Sequence, residues 1–160
     1  MLLVRAGPGP EVLGCCGPPE DPKNDCFMPT GEKDLTKILQ GLVPILNPGE
    51  YVFCSVKELP AADPREMIAL FREEEGWTLV LDRSLADRLG LSYEFIAAWI
   101  TLTVHSSLEA VGLTAAFSKA LGDRQISCNC IAAYHHDHIF VPVRDAARAM
   151  EALRGLARVT

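Results

Sequence analysis

Trp99–Val143 reads WITLTVHSSLEAVGLTAAFSKALGDRQISCNCIAAYHHDHIFVPV, and the order of its segments decides the fold. ITLTV is an apolar, β-branched run, HSSLEAVG a polar loop, and LTAAFSKAL a run with apolar residues at helical spacing. Ile126–Ala133 and His136–Val141 are two strand-like runs split by a polar turn. A second helical run, DAARAMEALR, follows over Asp145–Arg154. A strand, a helix, two strands and a helix place helices on one face of a mostly antiparallel sheet, an α+β arrangement.

The residues upstream repeat this plan in reduced form. Thr30–Val43 is expected to be a helix with Thr30 as its cap, Lys33 where a capping box would carry Glu, and an apolar stripe of Leu35, Ile38, Leu39 and Leu42. Pro44 and Pro48-Gly49 bracket an expected turn. Glu50–Val56 is rich in β-branched and aromatic residues and reads as a strand. Met67–Glu73 alternates as a strand does, with Glu74-Glu75-Gly76 as a hairpin turn and Trp77–Leu81 returning. The same stretch also fits a helix begun at Pro64, with Met67, Leu70 and Phe71 as its stripe. Asp82 caps a short helix that runs through Leu89 and closes at Gly90. Leu91–Ala97 links onward, anchored by Tyr93 and Phe95. The two halves form a degenerate internal repeat. Each buries too little alone, so the halves are expected to pack together and the pair to dimerise.

Composition sets the outer limits. The chain has 160 residues, 49% hydrophobic and 22% charged, enough for one ordinary domain or two small ones. A net charge of −6 argues against a nucleic-acid partner. No apolar run is long enough for a membrane span, and MLLVRAGPGPEVLG makes a poor secretory signal. Residues 1–29, punctuated by Gly7-Pro8-Gly9-Pro10 and Gly17-Pro18-Pro19, are expected to be a flexible tail. Of six cysteines, Cys15, Cys16 and Cys26 lie in that tail without a histidine or paired CxxC to make a zinc site. Cys128 and Cys130 lie on one face of a strand about 6–7 Å apart, a spacing that suits core packing. Adjacent Cys15 and Cys16 suit no ordinary disulfide, so a reducing, cytoplasmic setting is the simpler reading.

WITLTVHSSLEAVGLTAAFSKAL and ISCNCIAAYHHDHIFVPVRDAARAMEAL resemble the ACT-domain proteins of the small tandem type, and PILNPGEYVFCSV and ALFREEEGWTLVLDRSLADRLGL resemble the first half of the same family. The resemblance covers residues 30–157. It implies two ferredoxin-like β–α–β–β–α–β units, a lead-in helix with the first unit over 30–97 and the second unit over 98–160. It favours the strand over the helix at Met67–Glu73. It also implies a non-catalytic regulatory or sensor module that binds a small molecule, an amino acid above all, at an interface between paired domains. No cofactor is implied.

In that family the loop from the first strand into the first helix touches the ligand. The matching residues are His105, Ser106, Ser107, Leu108, Glu109, Val111 and Gly112, followed by Leu113. Free amides at a helix start suit a carboxylate. Glu109 or Asp137 would receive the ammonium group, and Ser106 and Ser107 either donate to the ligand or cap the helix. The sequence departs from the family at the turn Tyr134-His135-His136-Asp137-His138. It departs again after the second helix, where only Leu156–Val159 remain. That shortage implies that a strand from the other half completes the sheet. Two alternatives stand beside the sensor reading. One is a structural or protein-interaction module with a degenerate pocket. The other is a metal-binding protein built on the histidine-rich turn, which would need ligands from a further element. No nucleophile motif, phosphate loop or HExxH is present. The stripes Ile126, Cys128, Cys130 and Leu113, Phe117, Leu121 are expected to face each other across a core, with Trp77 and Trp99 at the join of the halves.

Overall fold

A computed structural model describes residues 31–157. The expected tail over 1–29, its three cysteines, Thr30 and the last residues of the chain lie outside the described residues.

The first helix is shorter than the sequence implies. α1 spans Leu35–Gln40, and its cap is Asp34, whose carboxylate accepts from the amides of Thr36 and Lys37. A carboxylate one residue ahead of the apolar stripe caps it directly, which leaves Gly31–Lys33 extended ahead of the helix. Ile38, Leu39 and Leu42 are buried as the stripe predicts.

Among the described residues seven strands make one antiparallel sheet: β1 Pro44–Leu46, β2 Tyr51–Val56, β3 Met67–Arg72, β4 Trp77–Asp82, β5 Ile96–Leu102, β6 Asn129–Ala132 and β7 Asp137–Pro142. The order across the sheet is β3-β4-β2-β5-β7-β6, with β1 also paired to β5. Met67–Arg72 is a strand, so the helical alternative there fails. α2, Arg83–Leu89, is bracketed by Asp82 and by Gly90 in the left-handed conformation, φ 66°. α3 spans Leu113–Gly122 and α4 spans Ala146–Leu156.

β5 is the seam. Ala97–Leu102 pair with β7. On its other edge Ile96 and Ala97 pair with Val52 and Tyr51 of β2, and Ile100–Leu102 pair with β1. The chain therefore runs beside β5 from Pro44, steps aside at Asn47–Glu50, and continues as β2 toward β4. Asn47 fastens the step by donating its backbone amide to the Trp99 carbonyl (2.8 Å) and its side-chain amide to Thr101 Oγ1 (2.9 Å). Each unit borrows a strand. The first reads β5-β2-β4-β3 and the second β1-β5-β7-β6, both in ferredoxin-like order. Pro44–Leu46, expected as a turn, is the strand that closes the second sheet. α4 itself continues through Leu156, the first of the residues expected to follow that helix.

Alternation along the strands separates two faces. All four helices cover one. Under α1, α3 and α4 lie Ile100, Leu102, Ile139 and Val141, packed with Ile38, Leu113, Phe117, Leu121 and Leu153. Under α2 lie Val52, Cys54, Leu79 and Leu81. The helix-free face carries Tyr51, Val80, Ala97 and Phe140, with Phe53 and Trp99 beside them. Trp99 does join the halves, edge-on to Tyr51 at 5.2 Å and stacked on Phe140 at 6.1 Å. Trp77 does not. It packs in the α2 cluster, because its register opposite Val56 puts it on the helix face. The sixth strand is also shorter than expected. Ile126 is buried and Cys128 half-buried, but Cys130 is exposed because β6 is an edge strand. The burial of the helix-side cluster is the main stabilising term. A buried Phe or Leu side chain contributes roughly 1.5–3 kcal/mol relative to an exposed one.

Candidate functional site

The chain leaves β5 at Leu102 and reaches α3 through a loop that turns twice. The Ser107 carbonyl accepts from the Ala110 amide at 2.8 Å, and Ser107 Oγ accepts from the Glu109 amide at 3.2 Å. Gly112 then enters the helix with φ 101°, a conformation that L side chains rarely adopt. A Cβ there would also stand 2.8 Å from Leu35 Cδ2. α3 begins with no side-chain cap, its first bond running from the Ala116 amide to the Gly112 carbonyl. The amides of its first turn are therefore the ones such a helix leaves to a ligand or water.

Beneath this helix start lies a small recess of about 60 Å³, lined by Ser106, Ser107, Leu108, Ala110, Leu113, Thr114, Ala132, Ala133 and Asp137. Asp137 begins β7 opposite Ala132 on one side and Leu102 on the other, so the pleat points it at the helix layer. It is 6% exposed and is the one buried charged residue among those described. The only hydrogen-bond partner of its carboxylate among them is Ser106 Oγ, at 3.5 Å. Burial pushes the Asp137 carboxyl above its ordinary range, while the Ser106 contact and the neighbouring His138 and His136 pull the other way.

Five of the residues expected at the site meet here: Ser106, Ser107, Leu108, Leu113 and Asp137. The other four lie around the recess. The ring of His105 sits 5.3 Å from that of His135. Glu109 is exposed and paired with Lys33, whose hydrogen bond holds the Glu109 carboxyl below its usual range. Val111 is 83% exposed. Gly112 packs on Leu35. Sequence reasoning missed Ala110, Thr114, Ala132 and Ala133 as lining residues. The only signal was position: Thr114 in the first turn of the helix, and two small residues just before the turn that leads to Asp137.

The histidine-rich turn divides its side chains. His138 Nδ1 accepts from Trp99 Nε1 at 3.0 Å and lies 3.2 Å from Thr101 Oγ1, toward the helix-free face. Burial, with His136 nearby, lowers its pKa. His136 Nδ1 is buried without a partner among the described residues. Tyr134 and His135 pack edge to face. Among the described residues no three His, Cys, Asp or Glu side chains converge where a metal would sit. Cys130 is exposed as a residue, but loss of water around its sulfur, with Asp137 and Cys128 nearby, pushes the thiol up to about 12, the reverse of what a nucleophile or metal ligand needs. A wider groove of about 590 Å³ on the sheet, lined in part by Phe53, Phe71 and Ile131, is open to solvent.

Models of the ACT domain match residues 30–98 and 94–155. Their overlap falls on the start of β5, the strand that both units use. The chain belongs to the ACT-domain family. Among solved structures it is similar to a Vibrio cholerae protein of unknown function described as a possible transport protein. That likeness has 48% identity and a TM-score of 0.69, covering 77% of this chain and 95% of that one. It is also similar in fold to the ligand-free regulatory subunit of aspartate kinase from Thermus thermophilus, at 9% identity and a TM-score of 0.53 over 72% of this chain and 98% of that one. A structure of aspartokinase alpha and beta subunits gives 10% identity and a TM-score of 0.51, covering 72% of this chain and 97% of that one. Curated protein sequences give no significant match. ACT domains are regulatory, ligand-binding modules, and this chain carries two of them in tandem. Among the described residues no helix is long and apolar enough to cross a membrane.

Proposed function

We propose that this ACT-domain tandem is a non-catalytic sensor that binds a free amino acid at the start of α3. The observation that carries the reading is the pairing of opposite preferences in one recess. The uncapped first turn of α3 favours a carboxylate, and the buried, nearly unpartnered Asp137 favours an ammonium group. A zwitterion satisfies both ends. A space of about 60 Å³ suits an α-amino-acid head group, a few water-sized groups. The side chain then emerges past Leu108, which is 66% exposed, and Ser106, Ser107 and Thr114 supply hydroxyls. Asp137 replaces Glu109 as the preferred ammonium partner, because Glu109 is already paired with Lys33.

A homodimer in the cytoplasm is part of the proposal. Its support is the edge strand β3, which exposes Ile68, Leu70 and Phe71 beside a backbone edge that is unpaired among the described residues. The free thiols of Cys54, Cys128 and Cys130 fit a reducing setting.

Calorimetric titration with common L-amino acids, each paired with its amine and its deaminated acid, tests the site. Selective binding of one amino acid, with both analogues at least about tenfold weaker, is expected when two charge-assisted contacts are each needed. Equal binding of the parent and either analogue, or no binding across the panel, contradicts the reading.

A further inference from the structure

Besides its own turn hydrogen bonds, the loop that walls the recess is braced from outside. A strap ahead of α1, together with the first residue of that helix, holds it at three points. At the first, Gly31 crosses the loop so closely that a Cβ would stand 2.5 Å from Ser106 C and Ser107 N. Glu32 then bridges the loop in parallel, donating its amide to the His105 carbonyl (3.0 Å) and accepting from the Ser107 amide (2.9 Å). At the second point Lys33 pairs with Glu109. At the third, Leu35 fills the space against Gly112, where the loop becomes helix. The strap is itself stiffened, because the Glu32 carboxylate accepts from the amides of Lys33 and Asp34, and Asp34 caps α1.

These contacts touch the loop near its beginning, in its middle and at its end, and the residues between them, Ser106 through Ala110, supply most of one wall of the recess. From this juxtaposition we infer that Gly31, Glu32, Lys33 and Leu35 are positioning residues of the ligand site, and that strap docking and ligand binding are coupled. Coupling of this kind is reciprocal. A docked strap presents the recess ready formed, and a ligand that tightens the loop holds the strap and α1 in place. Occupancy of the recess is thereby passed to Gly31–Lys33 and α1. The inference rests on the recess being the binding site proposed above.

The test uses the full chain, with amide hydrogen exchange on the ligand-free protein and titration with each amino acid of the panel. In Gly31→Ala, exchange at the Ser107 and Ala110 amides rises roughly tenfold, the scale of two lost backbone bonds. The Ile139 and Leu81 amides in the sheet keep wild-type exchange. Affinity for the amino acid that binds wild type falls by a similar factor. Lys33→Ala shifts both readouts the same way by a few-fold, and it decides the matter if Gly31→Ala loses protection throughout the sheet. Unchanged exchange at Ser107 and Ala110 overturns the positioning role. A loosened loop with unchanged affinity overturns the coupling. If no amino acid binds wild type, the amino-acid reading fails, while the exchange result still decides whether the strap positions the loop.

Discussion

The two halves share a sheet plan and differ at one crossover. Between β5 and β6 the second half carries a loop and a helix, α3. Between β2 and β3 the first half has only residues 57–66, with a single 3-10 turn at Pro64–Glu66 held by Asp63. The first half therefore has no counterpart of the α3 start, and its corresponding strand β4 begins with Trp77 where β7 begins with Asp137. What the difference teaches is a division of labour. The first half lends the second a strand and a strap, and the second half alone combines a free helix start with a buried carboxylate.

The largest expected break comes from removing the helix that only the second half has. Phe117 is fully buried beneath α3, and Phe117→Ala should lower stability by about 3–5 kcal/mol in a denaturant titration. A cost under about 1 kcal/mol would mean that α3 is not anchored as described. Next in size, Ala132→Leu fills the recess from β6 and should abolish amino-acid binding in calorimetry while the far-ultraviolet circular dichroism stays unchanged.

Asp137→Asn sharpens the comparison through pH. The native carboxyl of Asp137 titrates above its ordinary value, so the folded state takes up its proton more readily than the unfolded one. Its contribution favours folding below the ordinary aspartate range and is lost as pH rises through the native value. At pH 7 the variant should therefore be more stable than wild type, by roughly 1 kcal/mol. The gap should close as pH falls below the ordinary aspartate range, and ligand binding should be lost. Melting curves across pH give the answer. A variant less stable than wild type at pH 7 would show that Asp137 is satisfied without a ligand. Ile68→Lys on β3 should reduce the measured mass from dimer to monomer in light scattering without loss of melting temperature. The smallest effect belongs to the crossover that carries no site. Arg65→Ala removes an exposed pair with Asp63 and should leave both melting temperature and binding unchanged.

Much of this was legible because local signals agreed with the tertiary result. Asp82 and Gly90 bracket α2 as capping chemistry requires, and Leu113, Phe117 and Leu121 repeat at helical spacing into the core. β1 was not legible. Pro44, Ile45 and Leu46, just ahead of Pro48-Gly49, read as part of a turn, and only the open edge of β5 makes them a strand. The helix cap was misplaced for a related reason. Thr30 and Asp34 both suit a cap, and docking of Gly31–Lys33 on the loop settles which one serves. In the site, the loop and Asp137 carried chemical signals, whereas Ala132 and Ala133 carry none and become wall only through their register with β7.

The claim on which the account stands is that the α3 amides and Asp137 grip the two ends of one amino acid. Nuclear magnetic resonance of isotope-labelled protein during titration with the amino acid panel reads this directly. One amino acid is expected to shift the Leu113, Thr114 and Ala115 amides together with the Asp137 side-chain carboxyl carbon, and Asp137→Asn to abolish all of these shifts. Shifts confined to the Phe53–Ile131 groove, or none at the start of α3 for any amino acid, would contradict it.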